Sequence, residues 1–219
     1  MQIPKQTAAW YDRLTTLQTG YYYPWHSYLC PDHGEDRYTT LVHRYLRSDA
    51  TVLDVACGHG TLTLDFAPHC RTIVGYDRTA RWIALAEENA RRSQQSNATF
   101  ICYDSSRDAN NGQVRLPVAD ASCDLIVCSK GPFHWIDDAR RAARPGAPLI
   151  MLVPDATPPT PWTAALPDGL RWTVPADRHW ARAAIEQRLT ANGLVLQCWW
   201  EFDTPEYFAH PDDLYAWLT

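Results

Sequence analysis

The sequence lacks long runs of positive charge and long runs of apolar residues. No run of Lys and Arg exceeds two residues, and 25 acidic against 20 basic residues give a formal net charge of −5. An extended phosphate-binding surface is therefore not expected, which argues against nucleic acid as a partner. No apolar run approaches the ~20 residues of a membrane span, and residues 1–6 lack the apolar core of a secretion signal. We expect a cytoplasmic protein with no membrane association.

Cys-x-x-Cys pairs are also absent, although the chain has seven cysteines. Because the number is odd and several, such as Cys102 and Cys128, lie in apolar strand-like runs, we expect reduced core thiols. Cys30 and His33 stand close together, but no second cluster follows at zinc-binding spacing. The sequence therefore predicts no metal site.

The chain has 219 residues, of which 46% are hydrophobic, and this is enough to bury one core. We therefore expect a single domain over residues 1–219. Its centre alternates strands and helices. After a first strand near residue 52, strands are predicted at 72–76, 99–103, 124–128 and 148–153, and helices at 61–67, 81–95 and 136–143. This alternation predicts an α/β, doubly wound, mostly parallel sheet with helices on both faces and ligands at the carboxyl ends of the strands.

Around this core (48–153) we predict three flanking segments. An arm (1–47) contains helices at 6–17 and 34–47, and its aromatic stretch at 21–28 forms either a wall of a pocket or a clamp on the core. A proline-rich insertion (154–176) precedes a C-terminal region (177–219) with a helix at 177–192, a strand at 194–202 and the start of a helix at 211. No further strand follows the helix that starts at 211, so either the sequence is a truncated piece, which we expect, or the sheet has one strand fewer than is usual.

The segment 52–61 changes from strand to helix within ten residues. Apolar strand residues lead to Asp54, glycines follow at 58 and 60, and a helix begins at Thr61. Glycines allow a ligand to approach the main chain, and the first N–H groups of a helix lack intrahelical partners. The segment is therefore typical of a ligand-binding loop, with a purely structural turn as the alternative.

Asp54-x-Ala56-x-Gly58-x-Gly60 resembles the first motif of the class I (Rossmann-like) S-adenosylmethionine-dependent methyltransferases, with Ala56 where the family often has glycine. A dinucleotide-binding loop would have a third glycine at the position of Thr63. Asp77 ends the second strand ~20 residues beyond the loop, where an acid can reach ribose hydroxyls. Its alternative role is that of a turn residue beside a helix cap at Thr79.

The resemblance implies a methyltransferase with S-adenosyl-L-methionine as cofactor and S-adenosyl-L-homocysteine as product. It implies cofactor contacts from Asp54, Ala56, Cys57, Gly58 and Gly60 in the first motif, from Asp77, Arg78 and Trp82 after the second strand, from Asp104 and Ser105 after the third, and from Ser129 and Lys130 after the fourth. In the family pattern the acid at Asp104 accepts from the adenine amine. Backbone at Ser129 and Lys130 would follow the methionyl part.

The loop 130–135 at the end of the fourth predicted strand contains our candidate general base, His134, because an imidazole titrates near neutral pH. Its alternative is a polar cap on the next helix. Pro132-Phe133 is partly similar to the Asn-Pro-Pro-Tyr loop of enzymes that methylate amino groups of nucleic acids, but Lys130 replaces the amide and would repel an attacking amine.

The expected function is methyl transfer to an unidentified small molecule, with the oligomeric state open. Alternatives are a non-catalytic S-adenosylmethionine-binding protein, a nicotinamide-dependent oxidoreductase and a nucleic-acid methyltransferase.

Overall fold

The fold is known from a computed structural model that describes residues 8–18, 20, 25–154, 161–168, 171 and 180–218. The helices are α1 (Ala8–Leu17), α2 (Gly34–Tyr45), α3 (Thr61–Phe66), α4 (Ala80–Arg92), α5 (Ile136–Ala142), α6 (Trp180–Ala191) and α7 (Pro211–Leu218), with short 3-10 turns at Ala67–His69 and Pro161–Ala165. The strands are β1 (Ser27–Leu29), β2 (Thr51–Val55), β3 (Thr72–Asp77), β4 (Ala98–Cys102), β5 (Leu125–Ser129), β6 (Leu149–Leu152) and β7 (Glu206–Phe208).

Five of these strands form one sheet in the order β4-β3-β2-β5-β6, and all four pairings are parallel. The chain moves outward from β2 through β3 to β4 and then returns to the other side of β2 at β5. Doubly wound sheets bind ligands beside such a reversal of direction, at the carboxyl ends of the strands. The predicted Rossmann-like α/β architecture is thus confirmed.

The sheet separates two apolar layers because alternate residues of a strand face opposite sides. Leu53 and Val55 belong to the cluster that contains residues of α5 and α6, whereas Val52 belongs to the cluster that contains residues of α2. All three side chains are fully buried. Burial on both faces explains why β2 is a nearly continuous apolar run interrupted only by Asp54.

The predicted strand at 194–202 is wrong. The described chain has no strand there, and Val195 and Trp200 are 75% and 57% exposed. An apolar β-forming run becomes a strand only where a neighbouring strand pairs with it, and this segment has no such partner. The strand that does form in this region is β7, which pairs antiparallel with β1 in a separate two-stranded sheet.

The pairing of β1 with β7 joins the arm to the C-terminal region. Trp25 Nε1 donates a hydrogen bond to Glu206 Oε1 (3.2 Å), and His26 N donates to Asp213 Oδ1 (2.9 Å). Residues 21–24 of the predicted aromatic stretch lie outside the described residues, as do 155–160, 169–170 and 172–176 of the predicted insertion. The same holds for residues 6–7 of the predicted first helix and residues 177–179 of the predicted helix at 177–192.

All seven cysteines are free thiols. Cys70, Cys123 and Cys128 are buried, as predicted, but Cys102 and Cys198 are exposed. Cys102 is exposed because it ends β4, the edge strand of the sheet. Among the described residues, no group of His, Cys, Asp and Glu has the geometry of a metal site. None of the described helices has the length and apolar character needed to cross a membrane.

Candidate functional site

The loop after β2 turns sharply through three residues with positive φ. Ala56 has φ 55°, Gly58 55° and Gly60 82°. A Cβ on Gly60 would lie 2.8 Å from the Phe100 ring, so glycine is required there by packing. A Cβ on Gly58 would have no atom within 4 Å. The main chain at Gly58 therefore faces open space, as a ligand-binding loop requires.

Ala56 occupies the position where the first motif often has glycine. The left-handed φ of Ala56 explains that preference, because glycine adopts this conformation at the least cost. The Ala56 methyl also helps to exclude a side chain at position 131. A Cβ on Gly131 would lie 3.1 Å from the Ala56 Cβ and 2.6 Å from Cys128 Sγ. Residue 131 must therefore be glycine for the loop after β5 to pack this closely against the loop after β2.

The Asp77 carboxylate joins the ends of β2 and β3. Oδ2 accepts a hydrogen bond from Gly58 N (3.1 Å), and Oδ1 accepts from Thr79 N (2.8 Å) at the start of α4. Thr79 occupies the N-cap position but makes no side-chain cap bond. The bond from Thr79 N is that of a turn residue beside the start of the helix, the role considered as the alternative for Asp77. Each oxygen keeps a second lone pair for a ligand hydroxyl.

Asp54 lies beneath the loop, and only 3% of its surface is exposed. Its Oδ2 accepts a hydrogen bond from Thr63 Oγ1 (2.6 Å). Burial raises the pKa of Asp54 to about 7, because the effect of desolvation exceeds that of the Thr63 hydrogen bond, and the Asp77 charge adds to the rise. Thr63, which is wholly buried, stands where a dinucleotide loop has its third glycine, and its hydroxyl is committed to Asp54.

Asp104 and Arg78 lie at the ends of β4 and β3. Asp104 Oδ1 accepts a hydrogen bond from Ser106 N (2.8 Å). Partial burial opposes ionisation of this carboxyl, but the Ser106 bonds and the charges of Arg78 and His134 hold its pKa below the usual value. The Arg78 guanidinium carbon is 5.3 Å from the centroid of the Tyr11 ring, so α1 packs over the end of β3.

Two other predicted contacts offer less surface to a ligand. Trp82 is 2% exposed in the first turn of α4, and its ring lies 6.2 Å from that of His59 in the loop after β2. Cys57 is half-buried, its N–H donates to Tyr76 O (3.0 Å), and its side chain packs against the backbone at Gly75. Their contacts with a cofactor stay predictions.

Ser129 is the last residue of β5, and the loop that follows places Lys130 and His134 at the same edge of the sheet. Lys130 has φ 58°, its N–H donates to Leu152 O (2.8 Å), and its ammonium pairs with the Glu35 carboxylate. The Lys130 side chain is thus directed to α2, which leaves its backbone as the group predicted to meet the cofactor.

His134 does not cap α5 with its side chain. Its Nε2 lies 3.0 Å from the Ser105 hydroxyl oxygen, and that oxygen accepts a hydrogen bond from the Tyr76 hydroxyl (3.0 Å). Burial is the largest influence on His134 and lowers its pKa, so the imidazole is neutral at pH 7. Sequence reasoning missed Tyr76, because in a strand its pattern is that of an ordinary core aromatic.

Residues 52–145 match a family model described as a methyltransferase domain. The 23S rRNA (uracil(1939)-C(5))-methyltransferase RlmD of Aeromonas salmonicida is 45% identical over 103 residues, which cover 47% of this chain and 20% of that protein. The demethylmenaquinone methyltransferase of Lactiplantibacillus plantarum is 26% identical over 129 residues, 55% of this chain and 52% of that protein. The chain thus spans about half the length, or less, of these curated relatives.

Solved structures share the fold. The geranyl diphosphate C-methyltransferase of Streptomyces coelicolor A3(2), crystallised with Mg²⁺, geranyl diphosphate and S-adenosyl-L-homocysteine, superimposes with a TM-score of 0.55 at 12% identity, covering 77% of this chain and 68% of that one. The sheet order β4-β3-β2-β5-β6 is that of a Rossmann-like fold, as in this methyltransferase. The match over residues 52–145, less than half of the chain, makes the protein similar to the class I S-adenosylmethionine-dependent methyltransferases, whose cofactor is S-adenosyl-L-methionine.

The residues present fit this cofactor. The open space at Gly58 lets a ligand lie against the main chain, and Asp77 keeps lone pairs for two hydroxyls. Asp104 remains ionised at neutral pH and can accept from an amine. Gly58, Asp77 and Asp104 lie at the carboxyl ends of three adjacent parallel strands, β2, β3 and β4. An extended nucleoside could therefore contact all three in turn.

Proposed function

We propose that the protein is an S-adenosyl-L-methionine-dependent methyltransferase that transfers a methyl group to a small-molecule acceptor. The observation that carries the proposal is the Gly58–Asp77 arrangement, in which an open main-chain loop and a carboxylate are fixed to each other by a 3.1 Å hydrogen bond. The bound cofactor supplies an activated methyl group on a sulfonium. The protein then has to position the two reactants and exclude water.

Each residue has a defined task in this proposal. Gly58 lets the cofactor lie on the main chain, Asp77 accepts from the ribose hydroxyls, and Asp104 accepts from the adenine amine. Backbone at Ser129 and Lys130 lines the methionyl end, which places His134 beside the acceptor. The methyl group is therefore presented at the loop after β5.

Three features support a small acceptor. The net charge is −5, no basic run exceeds two residues, and the Tyr11 ring covers Arg78 at the end of β3, which narrows access from the α1 side. We further propose that residues 1–219 form a single domain and that the protein works in the cytoplasm, consistent with seven free thiols.

Calorimetric titration with S-adenosyl-L-homocysteine and, separately, with NADH tests the cofactor assignment. We expect saturable binding of the first and none of the second. Gly58→Val should abolish binding while the chain still folds, with a melting temperature lowered by the strain of a β-branched residue at φ 55°, and binding of NADH alone would refute the proposal. Incubation with methyl-labelled cofactor and a pool of small metabolites then separates an enzyme from a non-catalytic binding protein.

A second candidate is methylation of RNA, favoured by the 45% identity with RlmD over 103 residues. Labelled cofactor offered with total RNA would give label that ribonuclease releases from the macromolecular fraction. Binding to RNA should also weaken steeply as salt rises. Label in RNA and none in small molecules would replace the small-molecule acceptor by this one.

A further inference from the structure

Tyr76, Ser105 and His134 form a hydrogen-bonded chain that runs from the core to the candidate acceptor site. Tyr76 is 3% exposed and Ser105 4% exposed, whereas His134 is half-buried on the loop after β5. The Tyr76 hydroxyl and the Ser105 oxygen are 3.0 Å apart, and the Ser105 oxygen and His134 Nε2 are also 3.0 Å apart. Both hydroxyl protons are therefore enclosed by protein.

The direction of these hydrogen bonds follows from the acceptors that are available to the hydroxyl protons of Tyr76 and Ser105. The Tyr76 hydroxyl donates to Ser105 Oγ, and in the described part of the structure neither hydroxyl has another recorded hydrogen-bond partner. If His134 Nε2 carried a proton and donated it to Ser105, a buried hydroxyl proton would have no acceptor, which costs free energy. If Ser105 donates to Nε2, every proton in the chain has an acceptor.

A neutral imidazole that accepts at Nε2 carries its proton on Nδ1. The imidazole is neutral because burial lowers its pKa, as do Arg188 and Arg78, against the opposing influence of Asp104 and Asp137. Nδ1 makes no hydrogen bond to any residue that the structure describes. The free nitrogen of His134 is thus an N–H donor.

We infer that Ser105, oriented by Tyr76, is a positioning residue that holds His134 as the Nδ1–H tautomer, so that His134 donates a hydrogen bond to the methyl acceptor and does not remove its proton. This inference rests on the proposed function and revises the predicted general-base role. The acceptor is then a compound with an ionised nucleophile, such as a phenolate or enolate. Its proton leaves to solvent before binding, its lone pair forms the new bond to the methyl carbon, and the electron pair of the broken C–S bond stays on sulfur.

Long-range ¹H–¹⁵N correlation of the ¹⁵N-histidine-labelled full chain at pH 7 tests the tautomer, with His134 assigned from the signal missing in His134→Gln. We expect the Nδ1–H form in the wild type. Ser105→Ala removes the donor to Nε2 and should shift His134 towards the Nε2–H form. Tyr103→Phe is the matched control: its ring lies 6.2 Å from that of Tyr76, but its hydroxyl donates to Asn110, so its loss should leave the tautomer unchanged.

An Nε2–H form in the wild type would overturn the inference, even if Ser105→Ala failed to fold. So would an unchanged tautomer in folded Ser105→Ala. Titration with S-adenosyl-L-homocysteine on the same samples separates the two claims. Absence of binding refutes the proposed function, whereas binding together with an Nε2–H imidazole refutes only this inference.

The rate of methyl transfer by a His134 variant distinguishes a hydrogen-bond donor from a general base. His134→Gln keeps an N–H donor and has no basic nitrogen. In the labelled-methyl assay it should retain the rate to within about tenfold, because no general base is lost. A loss of about 10²–10⁴-fold, the usual contribution of general-base catalysis, would assign the base role and overturn the inference.

Discussion

The backbone N–H of Gly58 donates a hydrogen bond to the Asp77 carboxylate at 3.1 Å, so the loop after β2 and the end of β3 are fixed to each other before any ligand arrives. A second bond from Thr79 N holds the other oxygen of Asp77 at 2.8 Å. The carboxylate is thus preorganised by the backbone that surrounds it. This relationship makes Asp77 the residue whose loss should affect the site most directly.

Replacement of Asp77 by Ala should weaken binding of S-adenosyl-L-homocysteine roughly ten- to hundredfold, since charged hydrogen bonds contribute about 1.5–3 kcal/mol. The melting temperature should also fall, because Gly58 N and Thr79 N lose their acceptor. Calorimetry and thermal unfolding measure the two effects. Asp108→Ala, an exposed acid of the loop after β4, is the control and should change neither. Unaltered affinity in Asp77→Ala would remove this residue from the site.

The glycines of the loop should respond differently to the same substitution. Gly60→Ala places a methyl 2.8 Å from the Phe100 ring at φ 82° and should lower the free energy of unfolding by about 2–4 kcal/mol. Gly58→Ala meets no atom within 4 Å, so it should cost only about 1–2 kcal/mol, from its φ of 55°. Its methyl fills space assigned to the cofactor, and we expect at least tenfold weaker binding. Urea unfolding and calorimetry on both variants check the contrast, which equal losses of stability would contradict.

The stability of the protein should depend on pH through Asp54. Burial raises its pKa to about 7 in the folded state, whereas an unfolded Asp titrates near 3.9. Between these values the folded state binds more protons than the unfolded state. The contribution of Asp54 to the free energy of unfolding is therefore most favourable below about pH 4, falls as pH rises towards 7 and is constant above it.

Asp54→Asn removes this titration and keeps an oxygen that can accept from Thr63. The free energy of unfolding of the wild type minus that of the variant should fall by roughly 2–3 kcal/mol between about pH 5 and pH 8. Urea unfolding of both proteins at the two pH values provides the comparison. A difference that stays constant over this range would mean that Asp54 titrates normally.

Asp138 and Asp120 form a second matched pair, because both contact Arg141. Asp138 accepts from Arg141 Nη2 (2.6 Å) and from Leu116 N (2.7 Å) and is 9% exposed as a residue, whereas the Asp120 side chain is 72% exposed. Asp138→Ala should cost about 2–4 kcal/mol, since it leaves partly buried donors without an acceptor. Asp120→Ala should cost less than about 1 kcal/mol. Similar midpoints of urea unfolding in the two variants would argue against this difference.

Sequence periodicity predicted the central sheet well, because each of its strands carries its own apolar run and each crossover helix its own apolar stripe. The first motif likewise identified the loop, since glycine spacing is a local feature. Long-range hydrogen bonds left no such local signal. Thr63 was identified only as a missing glycine, and its bond to Asp54 spans nine residues. Leu116 N and Asp138 are 22 residues apart, and Ser105 and His134 29.

At 194–202 the local signal of a strand is present, but no strand forms. Its apolar composition satisfies the pattern of a strand, but strand formation needs a partner, and composition does not report which edge is available. Four residues further on, β7 is short and mixed in character and still forms, because β1 supplies its hydrogen bonds. In both segments, the presence or absence of a partner strand determines whether a strand forms, and the β-propensity of the segment's own residues does not.

The pairing of Ser27 with Phe208 and of Leu29 with Glu206 sets an order of events during synthesis. The βα units of the central sheet can assemble from contacts between sequential elements as the chain leaves the ribosome. The two-stranded sheet has to wait until residues 206–208 have been translated, because its partners are separated by about 180 residues. A nascent chain arrested ahead of Glu206 would hold an assembled central sheet with α2 packed on it, whereas β1 would still lack its partner strand.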